Sequence, residues 1–523
     1  MLKLLNKSKY LPLLVFLFSL ALHISNIGGS NIYILDEAKN ASCAAEMFKR
    51  GDLVVPTFNH ELRTDKPPLH YYFMMLSYSI FGVNAFAARF FSAIFGALTI
   101  LICFLFARKY ASEKVALWTA FILLSSIHLT IQFHLAVPDP YLIFFVTSSI
   151  FSFYAAIQEK RLLYLLLLYI SVGIGTLAKG PVAIGLPGLI FLLFLIFSKR
   201  FRWKEIKQLK PFMGAAIVLA IALPWYILVH IKTNGLWTEG FFMKHNIGRF
   251  SSEMEGHGGP FLVTILFIMV GLLPFSVFLV QALKKAYTNK KDDFTLLSLI
   301  AGITIVAFFT ISRTKLVNYT VPAYPYFAII LALWISKLED KKPTKSISML
   351  ILAILGLIFV PAGLIGIKLD PALSHLSNMA WYLLPLPVGF ITAYFLFIKG
   401  KLRTSFVLIG LSSMVAGLFS IFIILPKIDM ENPVVKSQNL VKGKEVRYFE
   451  KFNPAYSFYL QHKIDAIEVD QFSSFFREHP SGVVISTKKR IEKINLPDDL
   501  AISFSSRDIL ENPTTVLVTK RSR

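Results

Sequence analysis

The sequence predicts a polytopic α-helical membrane protein of about thirteen transmembrane helices, with interfacial helices in the first outer loop and a small C-terminal α/β domain. Three observations carry this prediction. The chain of 523 residues is 55% hydrophobic with a mean hydropathy of +0.61, more apolar surface than a soluble core can bury. Its apolar residues come in runs close to the ~20 needed to cross a bilayer. Its Lys and Arg residues are divided unequally between the segments that join those runs.

Taken in order, the candidate spans lie at 11–30, 85–107, 115–131, 141–157, 162–178, 181–197, 211–231, 261–283, 294–311, 316–335, 346–367, 380–398 and 404–425. With the N-terminus cytoplasmic, the inner connecting segments hold 25 basic residues and the outer ones, nearly twice as long in total, hold 12. An odd number of spans preserves that asymmetry, so the loop 30–84 and the tail face away from the cytoplasm. The expected division is a transmembrane domain over 1–428 and an outer α/β domain over 429–523. Lys3, Lys7 and Lys9 before the first run imitate a signal peptide, but no small-residue cleavage site follows, and the run reads as a retained helix. The net charge of +23 is explained by inner-face anchors beside anionic lipid and calls for no nucleic acid. Cys43 in the outer loop and Cys103 in the second span exclude a disulfide framework. No internal repeat marks an inverted-repeat transporter.

The first outer loop is where polar chemistry concentrates. Asp36 and Glu37 stand where the first apolar run ends, and an ionised pair at a membrane exit is costly enough to be a functional candidate. Residues 36–50 are rich in helix formers and end at Gly51, so Asp36 either begins a helix as a simple N-cap, worth about 1 kcal/mol, or does chemistry. A second short helix is expected from the Pro67-Pro68 pair through aromatic residues to Gly82, lying in the interface. Between them Asp65-Lys66 is either a snorkelling pair or part of a site.

Other outer segments add charge. Asp139, in Val137-Pro138-Asp139-Pro140, opens the fourth span and could equally be an N-cap. Lys179-Gly180-Pro181 makes a tight hairpin between the fifth and sixth spans. His245-Asn246 with Arg249-Phe250 precedes a Gly- and His-containing stretch expected to be a mobile loop. Arg313 and Lys315 lead into Asn318-Tyr319. His60, His70, His245 and His257 lack tight metal-ligand spacing. Together the outer face offers two or three carboxylates and at least four cations around a membrane-level cavity. An enzyme on that face must draw its activated group from the membrane itself, such as a lipid-linked phosphate. Cations would stabilise the leaving phosphate and a carboxylate would take the proton from an incoming hydroxyl.

Over roughly residues 30–335 these segments resemble the membrane glycosyltransferases that include the 4-amino-4-deoxy-L-arabinose lipid A transferases and, more distantly, the protein O-mannosyltransferases. The resemblance rests on the Asp36-Glu37 pair, Gly51-Asp52 with Val55-Pro56, Lys66-Pro67-Pro68, Asp139, Ala178-Lys179-Gly180, His245-Asn246 with Arg249-Phe250, and Thr314-Lys315 with Tyr319 and Pro322-Ala323-Tyr324-Pro325. It implies a GT-C fold and a polyprenyl-phosphate-sugar donor. It also implies catalytic roles for Asp36 and Asp139, donor-phosphate contacts at Lys66, Arg249 and Tyr319, and Lys179 as a further cation of the cavity. Glu37, Arg313 and Lys315 complete the candidate substrate contacts. In the aminoarabinose transferases a glutamate before the loop lysine takes part in a metal site. Here that position is Asp65, which makes a divalent metal a candidate cofactor.

The expected function is inverting sugar transfer from a polyprenyl-phosphate donor to a lipid A-like glycolipid or a protein, on the periplasmic face of a bacterial inner membrane. The alternative is a transporter or flippase of a lipid-linked substrate. That reading predicts charges near span centres, whereas here the ionisable residues gather at one set of helix ends.

Overall fold

In a computed structural model, described for residues 9–248, 258–338, 346–509 and 513–521, the chain is a helical bundle with a small sheet near its C-terminal end. Among the described residues nine helices are long and apolar enough to cross a membrane. Two bent helix pairs have the same length and apolarity when taken together, Glu113–Leu124 with Ile127–Phe133 at 72° and Leu262–Gly271 with Phe275–Thr288 at 117°. Leu11–Ile24 and Val182–Phe197 are shorter apolar helices. Each of the thirteen predicted runs falls on one of these elements. The chain is therefore a multi-pass membrane protein. The two bends are tied together: Ser126 caps the Ile127–Phe133 helix by accepting from Leu129 N at 3.1 Å and donates to Gly271 O at 2.7 Å.

The first loop folds as expected and gains one element. Its helices are Leu35–Arg50, closed by Gly51 in the left-handed conformation (φ 66°), and Leu69–Phe81, closed by Gly82. Between them strands β1 (Thr57–Phe58) and β2 (Glu61–Leu62) make an antiparallel hairpin that two residues per strand left without a period-2 signal in the sequence.

The remaining strands are β3 (Val446–Tyr448), β4 (Asp465–Ala466), β5 (Val483–Thr487), β6 (Leu500–Arg507) and β7 (Thr514–Lys520), in sheet order β4-β3-β5-β7-β6. β3 runs parallel to β4 and β5, and β7 antiparallel to β5 and β6. β5 is buried throughout, as its unbroken Val483-Val484-Ile485 run requires.

This tail grips the chain just ahead of the first loop helix. Asn31 donates from its backbone and side chain to Asp429 Oδ2, both at 2.6 Å. Ile32 N donates to the Tyr459 hydroxyl at 2.7 Å, and the Tyr33 hydroxyl donates to Asp508 at 2.8 Å. Asn59 and Ile464 exchange a reciprocal pair at 2.8 Å.

Candidate functional site

A cavity of about 540 Å³ opens at the end of the bundle that carries the first loop. Its lining combines the polar side chains of Lys66, Lys179, Asp65, His245 and Tyr319 with the apolar ones of Phe241, Phe242, Phe308, Phe309 and Val182. Residues distant in sequence meet here for identifiable reasons. The Leu162–Lys179 helix delivers Lys179 at its last residue, and the turn that follows needs glycine. Gly180 has φ 70°, and a Cβ there would lie 2.5 Å from the Phe241 ring in the cavity wall.

Asp139 stands one contact behind the cavity. Both it and Asp36 were equally readable as N-caps, and neither is one. The cap positions are Pro138 and Ile34, with no side-chain capping bond. Asp139 is 5% exposed and accepts from Lys179 Nζ at 2.7 Å. Lys179 Nζ also lies 5.3 Å from the centre of the Tyr319 ring, which packs on Phe309 at 4.9 Å. The carboxylate thus fixes where the ammonium points, and the ring offers that ammonium its electron-rich face.

Asp65 meets a histidine that sequence spacing could not assign to it. His245 Nε2 is 3.0 Å from Asp65, and Arg63 is 3.3 Å from its other oxygen. His245 sits on the π-helical turn Gly240–Gly248, held against residues 63–65 by Trp237, whose indole N–H donates to Arg63 O at 2.9 Å. Gly240 abuts Thr64 so closely that any side chain there would collide with it. Burial opposes ionisation of Asp65, but the His245 hydrogen bond and the Arg63 charge outweigh it and hold the carboxyl well below the usual carboxylate range.

Arg63, which the sequence reading missed, is buried and donates to Asn40 at 2.9 Å. Burial works against its charge, while the Asp65 and Asp36 carboxylates act the other way. Asp36 itself is exposed and is not among the residues lining the cavity; its charge acts on Arg63, the neighbour of Asp65.

Glu37 corrects an expectation. It is 0% exposed and takes Arg89 Nε and Nη2 at 2.6 and 2.8 Å. It also accepts from Ala136 N at 2.8 Å, so three of its roughly four acceptor sites brace the loop, and its full burial closes it to a substrate in this conformation. Arg89, four residues into the apolar Ala85–Tyr110 helix, further donates to the carbonyls of Ile27, Ser30 and Asn31. A lone arginine inside an apolar run was the signal available for it. Arg313 is exposed and outside the cavity lining. Lys315 is likewise outside that lining, donating to Ser312 O at 2.7 Å. Arg249 and His257, with most of the expected mobile loop, lie outside the described residues.

Asp65 and His245 are two metal-capable donors, but among the described residues no group of three His, Cys, Asp or Glu side chains gathers to hold an ion. The pair falls short of the three or four protein donors of a zinc site.

A bundle of apolar helices with two helices in its first loop and charged groups converging at that end is the architecture of the GT-C membrane glycosyltransferases, and the chain has that fold. A family model described as dolichyl-phosphate-mannose-protein mannosyltransferase matches residues 65–228. An undecaprenyl phosphate-alpha-4-amino-4-deoxy-L-arabinose arabinosyl transferase of Pectobacterium atrosepticum is 31% identical over 62% of this chain and 59% of its own length. An uncharacterised protein of Aquifex aeolicus is 30% identical over 65% of this chain and 66% of its own. The matches thus span about three fifths to two thirds of these relatives. The crystal structure of ArnT from Cupriavidus metallidurans bound to undecaprenyl phosphate superimposes with a TM-score of 0.78 at 20% identity, covering 98% of both chains. The Archaeoglobus fulgidus oligosaccharyltransferase does so with a TM-score of 0.53 at 12% identity, covering 92% of this chain and 70% of that one. At such identities the likeness is one of fold.

Proposed function

We propose that the protein is an inverting glycosyltransferase that moves a sugar from a polyprenyl-phosphate donor to a glycolipid acceptor of the lipid A type. The observation that carries the reading is the mixed lining of the cavity, in which two ammonium groups stand among phenylalanine rings. A phosphate with an isoprenoid tail matches both kinds of group, and the relatives named for a substrate are named for an undecaprenyl phosphate-linked sugar.

In this reading Lys66 and Lys179 bind the donor phosphate, Tyr319 orients Lys179, and Asp139 is a positioning residue. The acceptor hydroxyl attacks the anomeric carbon from the Asp36 side. As the new carbon–oxygen bond forms, the bond to the phosphate oxygen breaks, Asp36 accepts the hydroxyl proton, and the two ammonium groups offset the charge left on the phosphate. Arg249 completes the proposed phosphate contacts. Asp65, braced by His245 and Arg63, sets the local charge beside Lys66. The Lys and Arg asymmetry of the connecting segments supports an inner-membrane protein whose cavity faces the periplasm, and a division at residues 428/429 into membrane and α/β units.

The experiment is transfer by the purified full chain in liposomes holding polyprenyl-phosphate-sugar and lipid A, with the product read by mass spectrometry. Asp36→Asn is expected to abolish product while donor binding persists. Transfer at the wild-type rate would remove Asp36 from the mechanism.

A further inference from the structure

A second cavity, of about 320 Å³, lies between the C-terminal half of the Leu35–Arg50 helix and the Ala455–Leu460 helix of the tail, and it shares no lining residue with the first. Lys49, Arg50, His60 and His462 bring four basic side chains to it against one acid, Glu46. That acid is already committed, since Arg50 approaches within 3.9 Å while the Thr57 hydroxyl and His60 N donate to it. Lys49 has no acidic partner among the described residues, and its Nζ reaches a carbonyl, that of Gln461, at 3.5 Å. Ser42 and Ser457, 2% and 6% exposed, also line the cavity, and their hydroxyls meet no hydrogen-bond partner among the described residues. Unspent hydroxyl donors beside an uncompensated ammonium in one recess describe a site for an anion.

Its position narrows the class of anion. Val83 lines the recess two residues before the Ala85–Tyr110 helix enters the apolar layer. Ile80 and Phe81, on the adjoining helix end, are 61% and 40% exposed, as side chains facing lipid are. The recess therefore stands at headgroup level. Its Lys49 is about 20 Å along the helix from Asp36, thirteen residues at ~1.5 Å each. We infer that this cavity binds the phosphate of a membrane lipid headgroup. On the proposed function, it holds a phosphorylated glycolipid acceptor by a group remote from the bond that forms.

The test separates binding from turnover. The full chain is reconstituted in phosphatidylcholine nanodiscs doped with phosphatidic acid, a phosphomonoester lipid, and the retained acidic lipid is counted by native mass spectrometry. Lys49→Ala is expected to lower retention about fivefold and Lys49→Ala/His462→Ala further, with Lys49→Arg restoring it. Both side chains lie at the surface, so the fold survives their loss. Retention unchanged in the double variant overturns the site. Displacement by inorganic phosphate as readily as by lipid overturns the lipid assignment in favour of a free-phosphate site. If retention behaves as expected and sugar transfer is absent, the proposed function falls and the headgroup site stands.

Discussion

The buried pair Glu37–Arg89 offers the sharpest quantitative test of how the first loop is held. Arg89 makes five hydrogen bonds, two to the Glu37 carboxylate and three to the carbonyls of Ile27, Ser30 and Asn31, at 2.6 to 3.0 Å. Glu37 is 0% and Arg89 4% exposed, so water cannot solvate either charge when the other is removed. Arg89→Met keeps the apolar stem but leaves Glu37 buried and uncompensated, with three carbonyls short of a donor. Breaking a buried pair from one side costs about 3–5 kcal/mol, a large share of the ~5–15 kcal/mol that separates folded from unfolded protein. Glu37→Gln leaves the arginine unpaired and is expected to cost a similar amount. The double variant Glu37→Gln/Arg89→Met removes both charges at once and is expected to cost about 2 kcal/mol less than the two singles summed. Unfolding isotherms of the full chain in mixed micelles measure all three. Additive losses, or an Arg89→Met variant as stable as wild type, would refute the claim that this pair anchors the loop.

Two further outcomes follow from the site. Asp139→Asn is expected to raise the donor KM about tenfold or more with a smaller change in kcat, because Lys179 loses a charge-assisted bond of ~1.5–3 kcal/mol that aims it into the cavity. A donor KM equal to wild type would detach Asp139 from that role. Asp65 has a folded-state pKa depressed below its unfolded value of about 4, so its ion pairs contribute stability above that pH and lose it as pH falls through the folded pKa. Asp65→Asn should therefore destabilise the protein near neutrality and converge with wild type in strong acid. Curves that stay parallel from neutral pH to well below pH 4 would contradict the sign of the shift.

Most of the fold was legible because a bilayer imposes a length on every span, and all thirteen apolar runs became helical elements. The loop helices were readable from Gly51, Gly82 and the Pro67-Pro68 pair. In the site, Lys66, Lys179 and Tyr319 were found by their shared outer face and by the family resemblance, and they do line one cavity. What escaped were pairings between distant segments: His245 with Asp65, 180 residues apart, and Glu37 with Arg89. Local periodicity reports which face of an element is buried and nothing about which partner it meets. Glu37 was read with Asp36 as one acidic pair, yet consecutive residues on a helix point about 100° apart. One carboxylate faces solvent and the other the interior.

The grip of the tail on Asn31, Ile32 and Tyr33 makes the last hundred residues part of the loop's foundation. Asp36 begins only three positions later, so its coordinates are inherited from a segment synthesised at the opposite end of the polypeptide. Swapping tails between relatives is therefore no neutral graft, and a shortened chain that still inserts into lipid would carry its presumptive base adrift.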